Sequence, residues 1–234
     1  MDLAERLEKI FFPWDICCCA CGEERVERLG LCASCANGLH RPEGLRCPVC
    51  LDRVDTDGFC GDCLKHRPDY ERLYTCYIYE EPLKSLIRAF KFHNARYLKH
   101  AFLSMAEEAL PADVIAACDV FVPVPQSRAH FRERGYNQAE VLAKAMGKAM
   151  GKAVNSKILV RKKDTQMSKM TKEERQKAVK KEYGFIGTLH GETVLLIDDV
   201  VTTGGTVRAC AEQLKKAGAG KIYVFAVART DKKY

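Results

Sequence analysis

No stretch of this 234-residue chain approaches the roughly 18 consecutive apolar residues that a membrane-crossing helix needs, so no membrane insertion is expected. Residues 1–12 lack the basic start and apolar continuation of an export signal; Asp2, Glu5 and Glu8 stand there instead, which points to a cytoplasmic, reducing setting. Aromatic residues make up only 9% of the chain, with a single Trp, and no aromatic-rich stretch offers a platform for stacking nucleobases. The dinucleotide-binding glycine pattern is also missing, because Gly218-Ala219-Gly220 precedes a strand-like run, not a helix.

Cysteine, by contrast, is abundant. The chain has 13, and ten of them fall between Cys17 and Cys63. They form four CxxC pairs: Cys18/Cys21, Cys32/Cys35, Cys47/Cys50 and Cys60/Cys63. Position 18 maps onto 47 and 35 onto 63, an internal repeat of 28–29 residues. A CxxC turn presents two thiolates to one metal, and a second turn completes a tetrahedron, so residues 17–66 are predicted to be a double zinc ribbon holding two structural Zn²⁺. The first pair with the second, and the third with the fourth, is the simple pairing; an interleaved one stays open. A segment this short buries little core, so metal binding would supply most of its folding energy. Cys76, Cys118 and Cys210 lie among apolar residues and are expected in the core.

Charge divides the chain in two. Residues 1–70 hold 9 Lys+Arg against 13 Asp+Glu, whereas the rest holds 29 against 18. The basic C-terminal part suits a phosphorylated metabolite or a nucleic acid; the acidic ribbons are less fitted to grip phosphates alone.

Leu3, Leu7, Ile10 and Phe11 recur at helical spacing, so an amphipathic helix is expected within residues 1–16. From residue 70 to 234, strand-like and helix-like segments alternate. Strands are expected near 73–79, 119–124, 158–160, 193–197 and 222–228, and helices near 83–91, 98–110, 136–150 and 205–217. Such alternation predicts an α/β domain with a parallel sheet flanked by helices, and ligands beyond the carboxyl ends of the strands.

The informative segment is Val194–Thr206, VLLIDDVVTTGGT. An apolar strand leads to Asp198 and Asp199, then to a turn of Thr202, Thr203, Gly204, Gly205 and Thr206 that feeds a helix. Glycines let backbone N–H groups converge on an anion, and the helix N-terminus adds free donors and positive potential. The carboxylates would repel a phosphate; they suit sugar hydroxyls or a cation. A diol followed one sugar length later by a phosphate is a 5-phosphoribosyl group. Val207-Arg208 stand where a Walker loop would need Lys and then Ser or Thr.

This segment resembles the 5-phosphoribosyl-1-pyrophosphate (PRPP) motif of type I phosphoribosyltransferases. With the paired CxxC motifs, LKSLIRAFKFHNARYL (83–98) and VPVPQSRAHFRERGYNQAEVLA (122–143), nearly the whole chain resembles the ComF family, in which a double zinc ribbon precedes a phosphoribosyltransferase domain. The resemblance implies PRPP binding with Mg²⁺ by Asp198, Asp199, Val200, Val201, Thr202, Thr203, Gly204, Gly205 and Thr206. It places Val124, Pro125, Gln126 and Ser127 at the pyrophosphate loop. Residues 161–182, with 9 Lys+Arg against 4 Asp+Glu, match a mobile loop that closes over the ligand. Arg134, Arg161, Lys162, Thr165, Gln166 and Arg175 are the candidate phosphate or loop contacts. Ala178 stands where the family often has Asn, which departs from the loop pattern. The implied activity is transfer of a pentosyl group, of the amidophosphoribosyltransferase type; the catalytic residues and the acceptor stay unspecified. The resemblance also implies a part in natural competence or DNA uptake. A non-catalytic PRPP sensor, a single-stranded-DNA-binding accessory, and a zinc-ribbon adaptor for a DNA-uptake helicase remain alternatives.

Overall fold

Val194–Val201, Ile222–Arg229 and Val120–Pro123 are composed mostly of β-branched, aromatic and small apolar residues, which suits strands covered on both faces. A computed structural model describes residues 16–23, 25–162 and 182–231. The helix expected within 1–16 and the segment 163–181, with Thr165, Gln166 and Arg175, lie outside the described residues.

In chain order the elements are α1 (Ala33–Asn37), α2 (Gly61–Lys65), β1 (Arg72–Ile78), α3 (Leu83–Phe92), a 3₁₀ turn (Arg96–Leu98), α4 (Lys99–Ala109), α5 (Ala112–Ala117), β2 (Val120–Pro123), α6 (Arg128–Arg134), α7 (Gln138–Met150), β3 (Ala153–Val154), β4 (Leu159–Arg161), β5 (Tyr183–Phe185), β6 (Val194–Val201), α8 (Gly205–Lys216) and β7 (Ile222–Arg229). Five strands form one parallel sheet in the order β1-β7-β6-β2-β3. The strand expected near 158–160 does not join it. It appears as β4 and pairs antiparallel with β5, a separate two-stranded ribbon on either side of residues 163–181.

Alternation along β6 sends Leu195 and Ile197 to one face and Val194 and Leu196 to the other. The first face packs, with Phe121, Phe225 and Val227, against Phe90 of α3, Phe102 and Met105 of α4, and Leu142 and Met146 of α7. The second packs, with Val122 and Val224, against Val207, Cys210 and Leu214 of α8. Each such side chain, fully buried, contributes about 1.5–3 kcal/mol. Cys76, Cys118 and Cys210 are buried in these cores, as expected.

The two cysteine repeats straddle the β1 edge. Cys18, Leu31 and Cys32 of the first join the α3/α4 core, while Cys47, Val49, Cys50 and Cys60 of the second join the α8 core. Both bond to the edge strand. Leu73 N–H donates to Val49 O at 2.8 Å and Ile78 N–H to His40 O at 2.7 Å, so the repeats cover backbone that would otherwise recruit another strand. Charges reinforce the seam. Arg28 and Arg41 both reach Glu108 of α4, at 2.6 and 2.9 Å, and Arg46 meets Asp231 at 2.6 Å. Buried Arg229 at the end of β7 binds Asp52 and Cys50 O.

The turn that returns the chain from α8 to β7 depends on Gly218. Its φ is +102°, and a Cβ there would stand 2.1 Å from Leu189 O. Gly218→Ala is therefore expected to destabilise the domain by about 2–5 kcal/mol, combining left-handed strain with a backbone clash. Urea unfolding checks this as a lowered midpoint at unchanged slope; an unshifted midpoint refutes it.

Candidate functional site

Two arrangements stand out among the described residues. The first is the pair of cysteine clusters. The Sγ atoms of Cys18, Cys21, Cys32 and Cys35 lie within 4.8 Å of one another, and so do those of Cys47, Cys50, Cys60 and Cys63. The pairing is thus the simple one. A tetrahedron with metal–sulfur bonds of about 2.3 Å requires S···S separations of about 3.8 Å. Cys21 and Cys32 lie 3.9 Å apart, and Cys50 and Cys60 3.5 Å, so each donor set fits one tetrahedral ion of the zinc type.

Backbone geometry prepares one thiol in each cluster, whereas burial raises Cys35 and Cys60 and the neighbouring Cys63 thiol raises Cys50. Burial pushes the Cys18 thiol up, but backbone groups of Cys21, Cys32 and Ala20 outweigh it and bring it down to about 6. Burial likewise opposes, and backbone groups of Cys50, Cys60 and Val49 overcome, a shift that brings Cys47 down to about 7. Amides that favour a thiolate also favour a metal bond. Cys19 lies outside both clusters, and burial raises it to about 11.

The second arrangement is an open cleft of ≈ 150 Å³ at the carboxyl end of the sheet, lined by Val124, Pro125, Gln126, Arg134, Asn137, Gln138, Ala139, Arg161, Tyr183, Asp198, Asp199 and Thr206. Four neighbouring structures build it. Strand β6 supplies the carboxylates. It runs to Val201 and so carries Asp198 and Asp199 inside the strand, whereas the sequence pattern suggested a strand ending at Ile197. Consecutive strand residues face opposite ways. Asp199 accordingly meets Lys91 of α3, its Oδ2 lying 2.8 Å from Nζ, while Asp198 lies on the side of Tyr183 and Cys210. Burial, and then the adjacent Asp199 charge, hold Asp198 well above the usual carboxylate range, against the pull of Lys91. Two neighbouring acids beside a single ammonium put several oxygen donors in one place, a donor set that fits a divalent cation such as Mg²⁺.

Helix α8 supplies the second wall. Gly204 caps it with a φ of +77°, and no side chain caps the helix or places an acid in its first turn. Helices α6 and α7 differ, being capped by Ser127, whose Oγ accepts from His130 N–H, and by Asn137, whose Oδ1 accepts from Ala139 N–H. The first amides of α8 are therefore left for an anion.

The third part is the loop after β2, pinned to the start of α7. Gln126 Nε2 donates to Tyr136 O at 2.7 Å and Asn137 Nδ2 to Val124 O at 3.0 Å. Arg134 Nη1 donates to Gln138 Oε1 at 3.2 Å. The fourth is the β4/β5 ribbon, where Arg161 pairs with buried Glu182 at 2.9 Å. Gln126 Oε1 and Arg134 Nε are buried in this wall with no hydrogen-bond partner among the described residues. Orphaned polar atoms gathered on one cleft mark it as built for a polar ligand.

Of the residues singled out from sequence, Val124, Pro125, Gln126, Arg134, Arg161, Asp198, Asp199 and Thr206 line the cleft together. Thr202, Thr203, Gly204 and Gly205 form the turn leading into α8, with Thr202 and Thr203 exposed. Val200 and Val201 lie in β6 paired to β7, Ser127 is occupied in capping α6, and Lys162 lies over Gly184, away from the lining. Lys91 lies in the segment 83–98 that carries the family resemblance and is only a weak candidate from sequence; Tyr183 follows a polar run and is not picked out, and the fold carries both here.

The family model described as the phosphoribosyl transferase domain matches residues 135–234, which span the start of α7, β6, α8 and β7. The chain is 27% identical over 222 residues to competence protein F of Haemophilus influenzae, covering 85% of this chain and 96% of that protein. It is 30% identical over 208 residues to DNA utilization protein YhgH of Salmonella typhimurium, covering 86% and 91%. To competence protein ComFC of Bacillus subtilis it is 27% identical over 207 residues, covering 86% and 84%.

Proposed function

The chain belongs to the ComF family, with a phosphoribosyltransferase-type α/β fold behind two Cys₄ clusters, and from that premise we propose that its cleft binds PRPP together with Mg²⁺ in the handling of DNA taken up by the cell. The observation that carries this reading is the convergence of Asp198, Asp199 and the uncapped start of α8 on one cleft rich in unsatisfied polar groups. The uptake link rests on the relatives' names, competence protein and DNA utilization protein.

In this reading the amides from Gly204 to Thr206 and the threonine hydroxyls hold the 5-phosphate. Asp198 and Asp199 take the ribose hydroxyls and would also hold the metal. Mg²⁺ when bound lowers the negative charge of the pyrophosphate. Arg134 and Arg161 face the departing pyrophosphate, and the basic residues of the loop that follows Arg161, Arg175 among them, would exclude water from it. A nucleophile attacks the anomeric carbon as its bond to the pyrophosphate oxygen breaks, so pyrophosphate leaves with that electron pair. The protein contributes position and charge and forms no covalent bond. Each cysteine cluster holds one Zn²⁺, which braces the edge of the sheet.

Isothermal titration of the full chain with PRPP and Mg²⁺ is expected to show saturable binding. Pyrophosphate release, assayed with and without ammonia, separates a transferase from a sensor. A flat titration refutes the assignment.

A further inference from the structure

Lys91 lies in the last turn of α3, outside the carboxylate–glycine motif, yet it is the cation that meets Asp199 Oδ2 at 2.8 Å. Its position is fixed from both sides. One residue before it, Phe90 O accepts from the Tyr136 hydroxyl; one residue after it, the Phe92 ring lies 4.7 Å under the Arg134 guanidinium. Tyr136 is itself covered by Arg96 at 4.2 Å. Lys91 is thus held at the cleft by the same loop that builds the cleft's wall. Its side chain is 20% exposed and that of Asp199 9%, so the pair is not a solvent-screened surface contact.

The contact is also incomplete. Lys91 neutralises Asp199 Oδ2 by proximity, but that oxygen has no well-directed hydrogen bond among the described residues. A charge matched by position but not by a directed bond is readily exchanged for a better ligand. A divalent metal binds a carboxylate oxygen at about 2.1 Å. An ammonium on the same oxygen would face it across a short, poorly hydrated gap, so the two cations exclude one another.

We propose that Lys91 is a built-in counter-cation of Asp199, holding the metal's place in the ligand-free chain and yielding it when a divalent cation binds. This rests on reading the cleft as a metal–PRPP site. The site then never presents two uncompensated carboxylates to a core, and the displaced ammonium stays beside the cleft, where it favours an anionic ligand arriving with the metal.

The test uses Mn²⁺ alone, titrated into the full zinc-loaded chain and followed by electron paramagnetic resonance of free Mn²⁺. Lys91→Gln, and Lys91→Met as a second uncharged variant, are expected to bind Mn²⁺ roughly tenfold or more tightly than the parent, a coupling of ordinary size. Lys91→Arg should keep the parent's affinity, and Asp199→Asn should abolish the difference in either background. Unchanged or weakened Mn²⁺ binding in the folded uncharged variants overturns the proposal, as does the absence of Mn²⁺ binding throughout. If the Mn²⁺ difference stands while PRPP fails to bind any variant, the PRPP reading alone is lost. If PRPP binds and the Mn²⁺ affinities coincide, the role of Lys91 alone is lost.

Discussion

Chelating the metal from the cysteine clusters is expected to lower the melting midpoint of the chain by well over 10 °C and to free the ribbons from the sheet edge. Structural zinc in small modules contributes about 10–16 kcal/mol, and for a chain of this size 1 kcal/mol corresponds to about 2–4 °C. The two clusters should not be equal. Cys47, Cys50, Cys60 and Cys63 are all buried, whereas Cys21 is exposed and Cys35 half-buried. Without metal, the second cluster leaves four thiols crowded in an apolar core beside Tyr70 and Leu73. Its loss also strands Arg208, whose guanidinium donates to Cys63 Sγ at 3.1 Å and to His66 O at 2.7 Å. Arg208 belongs to the first turns of α8, the helix whose start forms the proposed phosphate cradle. Cys63→Ser is therefore expected to lower the midpoint more than Cys21→Ser and to weaken anion binding as well. Metal analysis should return about two zinc per chain; a negligible metal content, or a melt indifferent to chelator, refutes the assignment.

PRPP affinity is expected to fall by about 10²–10⁴ in the double variant Asp198→Asn, Asp199→Asn. Each hydrogen bond to a charged group contributes about 1.5–3 kcal/mol, and two of them set that range. The fold should survive. Asp198 is held above the ordinary carboxylate range by burial and by its charged neighbour, so an uncharged amide relieves a conflict there. The cost falls on Asp199, whose removal leaves Lys91 facing no carboxylate. Calorimetry with PRPP and Mg²⁺, beside a thermal melt, separates the two effects. Undiminished binding in a folded double variant would show that the sugar is held elsewhere.

The sequence alone determined the four CxxC pairs and the glycine turn before α8, while the fold settled which pairs share a cluster. Both depend on residues close in the chain: a CxxC loop brings two thiolates together at any tertiary position, and a glycine at the start of a helix frees amides whatever surrounds it. The parallel sheet was also readable, because strands buried on both faces must be apolar at every position. Tertiary structure alone decided what those local pieces meet. It continued β6 through Asp198 and Asp199, since pairing with β7 persists to Val201 although the apolar run stops, and so gave the two acids of one cleft different neighbours. It moved the strand at 159–161 out of the sheet to face Tyr183, and it brought Lys91 across from residue 91 to residue 199. Charges and partners separated by about a hundred residues leave no periodic trace in a chain; only packing puts them within 3 Å, and that packing gives the cleft its charge balance.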